Sequence, residues 1–259
     1  ERIGVDDLHW LTPAVVHDME PAIRCVAAMH SPSSGILDSH AYMLSLQGEA
    51  ENAGAVFAFS SPVLAGRTDA SGMLLQIGGE EPMELHAKTV VNCAGLHAVS
   101  LARRFQGLSA EHIPPFYYAK GNYYILPSRA PFRRLIYPLP EQAGLGVHVT
   151  LDLGGQARFG PDVEWVDGID YRVDPRRADV FYPAIRRYWP DLADGELQPG
   201  YSGIRPKLQG PGQAAVDFLI QGPKVHGISG LINLFGIESP GLTASLAIAE
   251  HVLETSTET

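Results

Sequence analysis

Three short segments, and the order in which they occur, constrain the fold of this chain most. An apolar run ends in small residues at 90–95, an extended run carries Gly-Ile-Arg-Pro at 203–206, and a loop with two glycines at 236–243 precedes an Ala-, Leu- and Ile-rich segment. A strand that passes through glycine into a helix is typical of α/β layers. The first and last segments therefore predict α/β structure near residue 90 and at the C-terminal end.

Two helix starts are visible before these segments. Thr12 followed by Pro13 predicts an N-cap and a first helical residue, and Asp38 or Ser39 predicts a second cap. The second helix is expected to end near residue 52 and to bury one face through Tyr42, Leu46 and Ala50, which recur every four residues.

Short runs rich in β-branched and aromatic residues predict strands in the rest of the chain. The expected strands lie at 55–59, 63–68, 74–77, 84–87, 89–92, 117–126, 135–137, 146–151, 157–159, 197–206, 218–221 and 225–228. Helices are expected at 98–105, at 175–188 and from Leu242 to about residue 253.

The order of these elements predicts an α+β fold in which an aromatic, mixed or antiparallel sheet is inserted into a discontinuous α/β domain. We expect 1–35 and 113–217 to build the sheet domain, and 36–112 and 218–259 to build the α/β domain.

Composition narrows the class of protein. The 259 residues carry a formal net charge of −10, which argues against a nucleic-acid-binding face. The two cysteines, Cys25 and Cys93, form no metal-binding pattern, so we expect no metal site, a reducing compartment and a buried Cys93 thiol. No apolar run reaches the roughly 18 residues of a membrane span. A cytoplasmic protein is expected, with peripheral membrane association and a lost leader left open.

Three features could carry chemistry on their own. Pro206 biases Arg205 to an extended backbone, and a rigidly held arginine can bind a carboxylate with two hydrogen bonds, or form a surface ion pair. The helix predicted from Leu242 has free N–H groups at its start, where negative charge is stabilised, or it is an ordinary packing helix. His148 could act as a general base near neutral pH, or it could be a structural histidine in a strand.

The chain resembles the FAD-dependent oxidoreductases of the D-amino-acid-oxidase-like superfamily. The resemblance is carried by the three segments above and by Lys120-Gly-Asn-Tyr-Tyr124, Gly146-Val-His148-Val-Thr and Phe159-Gly-Pro161. Within that superfamily they resemble the L-2-hydroxyglutarate dehydrogenases and oxidases, although Lys120 stands where arginine is commoner. Members open with a Gly-x-Gly-x-x-Gly turn. This chain contains none, so its N-terminal cofactor-binding unit is expected to be missing.

The resemblance implies FAD as cofactor and makes the discontinuous α/β domain the FAD-binding domain and the inserted sheet the substrate domain. It implies that the start of the last helix stabilises the negative charge of the reduced flavin. It implies His148 and Arg205 as catalytic residues, and Lys120, Tyr124 and Arg205 as substrate-binding residues. The implied cofactor-binding residues are Val63, Cys93, Ala94, Gly95, Arg205, Gly236, Ile237, Glu238, Ser239, Pro240, Gly241, Leu242 and Thr243.

The function implied is oxidation of a 2-hydroxy acid, with L-2-hydroxyglutarate first, to the 2-oxo acid by hydride transfer to flavin N5. One alternative is an amine-directed oxidase acting on glycine or sarcosine, which needs no strong base. A second is a non-catalytic nucleotide-binding remnant. Dioxygen, a quinone and a carrier protein are all open as electron acceptors.

Overall fold

The computed structural model describes residues 4–69, 72–139 and 146–257. Its strands are β1 (His9–Leu11), β2 (Ala28–His30), β3 (Val63–Asp69), β4 (Gly72–Ile77), β5 (Met83–Ala87), β6 (Val90–Asn92), β7 (Phe105–Gln106), β8 (Tyr117–Ile125), β9 (His148–Leu151), β10 (Ala157–Gly160), β11 (Glu164–Val166), β12 (Gln198–Lys207), β13 (Leu219–Gln221) and β14 (Leu231–Phe235). Its α-helices are α1 (Pro13–Met19), α2 (Ser39–Asn52), α3 (Ala98–Ala102), α4 (Ala178–Arg186), α5 (Pro223–His226) and α6 (Ser245–Thr257).

The chain divides into two compact units. The first unit comprises 1–55, 120–164 and 170–203, and the second comprises 56–119, 165–169 and 204–259. The division falls within β8, β11 and β12. The expected mixture of helices with parallel and antiparallel strands is confirmed. The assignment of cofactor and substrate roles to particular residue ranges stays a prediction.

The first unit is built on antiparallel pairing of β10 with both β8 and β9. Its core is aromatic: Phe159 stacks on Trp189 with the ring centroids 6.0 Å apart, and Tyr124 packs on Phe181 at 4.6 Å. Both predicted helix starts are confirmed, because the side chains of Thr12 and Asp38 accept backbone N–H groups of the first turns.

The second unit contains two sheets. One has the order β5-β4-β3-β7 and includes the predicted antiparallel meander. The other has the order β13-β14-β6, in which β14 runs antiparallel to β13 and parallel to β6. Leu231 and Phe235 of β14 are fully buried and belong to two different apolar clusters. The strand β14 is therefore the central element of this unit.

Several expected elements differ from the structure. Residues 225–228 do not form a strand, because Pro223 opens the short helix α5 and Gly227 ends it in the left-handed conformation. The strand follows at β14, in a segment where the sequence pattern predicted a loop. Residues 55–59 form no strand, and 135–137 contribute one isolated bridge, between Ile136 and Val149.

Two helices also differ from expectation. The helix α2 has no buried residue, so the predicted buried face through Tyr42, Leu46 and Ala50 is wrong. Tyr42 and Ala50 are half-buried and Leu46 is exposed, so the described parts of the chain cover this face only in part. The last helix begins at Ser245 rather than Leu242, because residues 239–244 form turns. None of the helices in the described ranges is long and apolar enough to cross a membrane.

Candidate functional site

The parallel pair β6 and β14 carries two of the predicted cofactor segments on the same sheet edge. Asn92, the last residue of β6, is in register with Asn233 of β14. The strand β6 continues directly into Cys93, Ala94 and Gly95, and β14 continues into Gly236. Ligands of α/β sheets bind beyond the carboxyl ends of parallel strands. The fold thus brings these two segments to the kind of edge where a nucleotide cofactor is held.

Two buried asparagines hold this edge together. The amide nitrogen of Asn92 donates to Oδ1 of Asn233 at 3.0 Å and to the carbonyl of Ala98 at 2.9 Å. Its oxygen accepts the backbone N–H of Ala94 at 3.3 Å, which shapes the turn after β6. Nδ2 of the fully buried Asn233 has no acceptor among the described residues. Sequence reasoning missed both residues; Asn92 ends an apolar strand, which is a readable signal, whereas Asn233 lies in the middle of β14.

The loop after β14 depends on glycine at two positions. Gly236 has a φ of +69°, and a Cβ there would lie 2.7 Å from Cγ of Leu208. At Gly241 a Cβ would lie 2.6 Å from both the Glu238 carbonyl oxygen and Cγ2 of Ile237. The loop folds tightly on itself and closely against the residue that follows β12. Ser239, Pro240, Leu242 and Thr243 complete the turn that leads to α6.

Glu238 of this loop is held by two cations of β12. Its Oε2 lies 3.3 Å from Nη1 of Arg205, and its Oε1 accepts from Nζ of Lys207. The Glu238 side chain is only 11% exposed, so this carboxylate is largely withdrawn from water. The structure therefore shows that Arg205 binds a carboxylate, and that the carboxylate belongs to the protein itself. Lys207 was not singled out from sequence, although the Arg-Pro-Lys alternation puts both cations on one side of a strand.

The remaining predicted cofactor residues belong to the second unit as well. Val63 opens β3 and packs, half-buried, against the cluster that contains Met73 and Leu231. The Cys93 thiol is exposed, so the expectation that it is buried is wrong. The apolar strand β6 ends at Asn92, one residue before the cysteine.

Lys120 and Tyr124 lie in the first unit and already have partners there. Nζ of the buried Lys120 donates to the carbonyl of Arg172. The fully buried Tyr124 donates from its hydroxyl to the carbonyl of Asp174 at 2.5 Å, and burial raises its pKa to about 12. Tyr124 is therefore a neutral core residue in this structure rather than a cavity-lining one.

His148 opens β9 in the same unit and is paired with Gly160 of β10. It is 9% exposed, and its ring lies against that of Tyr137 with the centroids 4.1 Å apart. A cavity of about 570 Å³ in this unit is lined by other residues, among them Arg129 and Arg133, and by none of the predicted site residues.

The chain matches the FAD dependent oxidoreductase family over residues 1–255, and it belongs to that family. It is 49% identical, over 90% of its length, to the mitochondrial L-2-hydroxyglutarate dehydrogenase of Arabidopsis thaliana, and it spans 57% of that protein. Among solved structures, it superimposes on the dithionite-reduced, FAD-bound L-α-glycerophosphate oxidase of Mycoplasma pneumoniae with a TM-score of 0.83 and 19% identity, covering all of this chain and 66% of the other. A glycine oxidase from Bacillus cereus gives a TM-score of 0.74 at 17% identity, covering 98% of this chain and 66% of the other.

FAD, the cofactor of this family, fits the edge formed by β6 and β14. Gly95 has a φ of +53°, and the space that a Cβ would occupy there is open. A ligand can therefore approach the backbone after β6 closely. Nδ2 of Asn233 is a buried donor that lacks an acceptor among the described residues. The backbone of Cys93, Ala94 and Gly95 and the loop from Gly236 to Thr243 are the segments that would hold the cofactor.

Proposed function

We propose that this chain is part of an FAD-dependent dehydrogenase that oxidises a 2-hydroxy acid to the 2-oxo acid. The first candidate substrate is L-2-hydroxyglutarate. The observation that carries the proposal is the carboxylate held by Arg205. Arg205 follows the Gly-x-Arg-Pro pattern of the family and engages an acidic group in this structure. The 49% identity to an L-2-hydroxyglutarate dehydrogenase supports the same substrate.

Each protein group has a defined task in this proposal. Arg205 binds the carboxylate of the substrate and so fixes the orientation of the carbon that carries the hydroxyl group. His148 accepts the hydroxyl proton at an imidazole nitrogen. Its ring lies against that of Tyr137, with the centroids 4.1 Å apart and the planes tilted by 31°, and this contact limits its motion. FAD, when bound, supplies the chemistry of hydride acceptance. Lys120 and Tyr124 would act on the substrate indirectly, by fixing the strand that carries them.

The amine-directed alternative has weaker support. The likeness to glycine oxidase, at 17% identity, concerns the fold alone. A non-catalytic remnant is disfavoured by the 49% identity to an L-2-hydroxyglutarate dehydrogenase. We therefore place the hydroxy acid first.

Replacing Arg205 tests the proposal. Arg205→Ala in the intact, FAD-loaded protein is expected to raise the KM for L-2-hydroxyglutarate steeply, by about 10- to 150-fold if a charge-assisted hydrogen bond of ~1.5–3 kcal/mol is lost. The exposed Arg67→Ala is the control of matched charge. An unchanged KM for the Arg205 variant would show that this residue does not bind the substrate.

The electron acceptor and the compartment need their own measurements. Dioxygen, a quinone and a carrier protein stay open as acceptors, and turnover with each in parallel separates them. The Arabidopsis relative is named as mitochondrial, which favours a mitochondrial location over the cytoplasmic or membrane-peripheral one expected from sequence. Subcellular fractionation of the intact protein distinguishes these locations.

A further inference from the structure

Arg205 and Lys207 are two cationic side chains on the same face of β12. They are separated by one residue on β12, so their side chains leave the strand on the same side. Pro206 between them is buried and faces the other way. The side chains of Arg205 and Lys207 are 31% and 19% exposed, which leaves both partly accessible.

The Glu238 carboxylate contacts both cations, in the way that the carboxylate of a bound ligand would. One oxygen faces Arg205 and the other faces Lys207, so a single carboxylate bridges two cations. The hydrogen bond from Arg205 is long, at 3.3 Å, and uses Nη1 alone. In the described parts of the chain, Nε and Nη2 of Arg205 have no acceptor, so the Nε–Nη2 edge of the guanidinium is not used for the two parallel hydrogen bonds that it can form. The cluster carries two positive charges and one negative charge, and it can therefore accept a further anionic group.

We propose that Lys207 is a second substrate-carboxylate-binding residue, and that Glu238 is an internal counter-ion which the substrate carboxylate displaces from Arg205 and Lys207. The inference rests on the proposed function for its choice of substrate. Glu238 keeps the two cations paired while no acid is bound, since an unpaired, partly buried charge is costly. An incoming carboxylate exchanges with the Glu238 carboxylate, and no covalent bond is formed or broken.

The loop geometry makes such an exchange feasible. Gly236 packs against Leu208, which directly follows Lys207, so the start of the loop is anchored beside the cation pair. Glu238 lies two residues further along, on the part of the loop that turns back at Gly241. In the proposed exchange, the side chain of Glu238 rotates away from both cations while the anchored glycine keeps its place.

Equilibrium binding to the intact, FAD-loaded protein tests the proposal. Glutarate and 2-oxoglutarate serve as non-reacting carboxylate probes, and the change in flavin absorbance is the readout. Lys207→Gln is expected to weaken both probes about tenfold or more. Glu238→Gln is expected to tighten them severalfold, because the neutral amide competes less well for the cations. The exposed Lys88→Gln, of the same charge change, is expected to leave binding as in the unaltered protein.

The outcomes separate three accounts. Unchanged binding in Lys207→Gln overturns the role of Lys207. Equal weakening in Lys207→Gln and Glu238→Gln overturns the exchange, since it identifies a structural ion cluster instead. If Lys207→Gln fails to fold, Lys207→Arg replaces it, and its binding must lie within about threefold of the unaltered protein for the charge to be what matters. If L-2-hydroxyglutarate does not reduce the flavin but the probes follow the expected pattern, the proposed function fails and the carboxylate exchange stands.

Discussion

The carboxylate of Asp162 is a largely buried acidic group of the first unit that joins three segments of the chain. It accepts the backbone N–H of Asn122 at 2.8 Å, the side-chain amide of Asn122 at 3.0 Å and Nε of Arg177 at 2.7 Å. A further contact joins it to Nη2 of Arg177. Asn122 is fully buried, and the Asp162 side chain is only 11% exposed. These bonds tie β8, the turn after β10 and the segment that precedes α4 into one network.

Removing this carboxylate in Asp162→Ala should destabilise the protein by about 2–4 kcal/mol. Breaking a buried ion pair by deleting one partner costs about 3–5 kcal/mol. Two features reduce that figure: Arg177 keeps 29% of its side chain in water, and Glu164 stays 3.0 Å from the Asn122 amide. For a chain of this size, the loss corresponds to a decrease in Tm of roughly 4–16 °C.

Thermal unfolding followed by circular dichroism measures this change, and a surface pair provides the control. Asp170 pairs with Arg172, whose side chain is 90% exposed, so Asp170→Ala should shift Tm little. Adding Arg177→Met to Asp162→Ala should recover part of the loss, because Arg177 in the single variant keeps only the more distant Glu164, 3.7 Å from its Nε, as an ion-pair partner among the described residues. Equal effects of Asp162→Ala and Asp170→Ala would refute the reasoning, as would a double variant less stable than the single one.

Three other perturbations have defined outcomes. Burial lowers the pKa of His226 below its usual 6.5, so the unfolded chain binds the proton more tightly than the folded one. The free energy of unfolding therefore falls as the pH drops below about 6.5. Chemical denaturation between about pH 8 and pH 5.5 should show a smaller decrease in this free energy for His226→Gln than for the unaltered protein. Gly236→Ala should lower the free energy of unfolding by about 1–3 kcal/mol, because the backbone there is left-handed and the new Cβ would contact Leu208. Gly168→Ala has open space around it and should leave the free energy of unfolding nearly unchanged in the same denaturation assay. His148→Asn should lower kcat for L-2-hydroxyglutarate about 10²- to 10⁴-fold while FAD content is unchanged, and an undiminished kcat would exclude it as the base.

Local signals in the sequence predicted much of the fold. The caps at Thr12 and Asp38 and the meander were readable because they depend on residues close together in the chain. The strand at 225–228 was wrong although its contradiction was local too: Pro223 and Gly227 are the residues that start and end a short helix. Misplacing that element hid β14, which is buried at every position and therefore shows no alternation.

The candidate site was only partly accessible from sequence. The segments around Gly95 and Gly236 could be identified, but their common edge depends on the parallel register of Asn92 with Asn233, 141 residues apart. The pairing of Arg205 with Glu238 depends on where the loop after β14 meets β12, which no local pattern specifies. The pattern around Arg205 left both a substrate carboxylate and an ion pair open, and in the folded chain Arg205 pairs with the carboxylate of Glu238.

An anaerobic titration of the intact, FAD-loaded protein tests the central proposal most directly. The flavin spectrum is recorded while L-2-hydroxyglutarate is added, and then in a separate sample while glycine or sarcosine is added. Bleaching of the flavin by the hydroxy acid alone is the predicted result. Bleaching by the amines alone would contradict it and would make this chain part of an amine-directed oxidase.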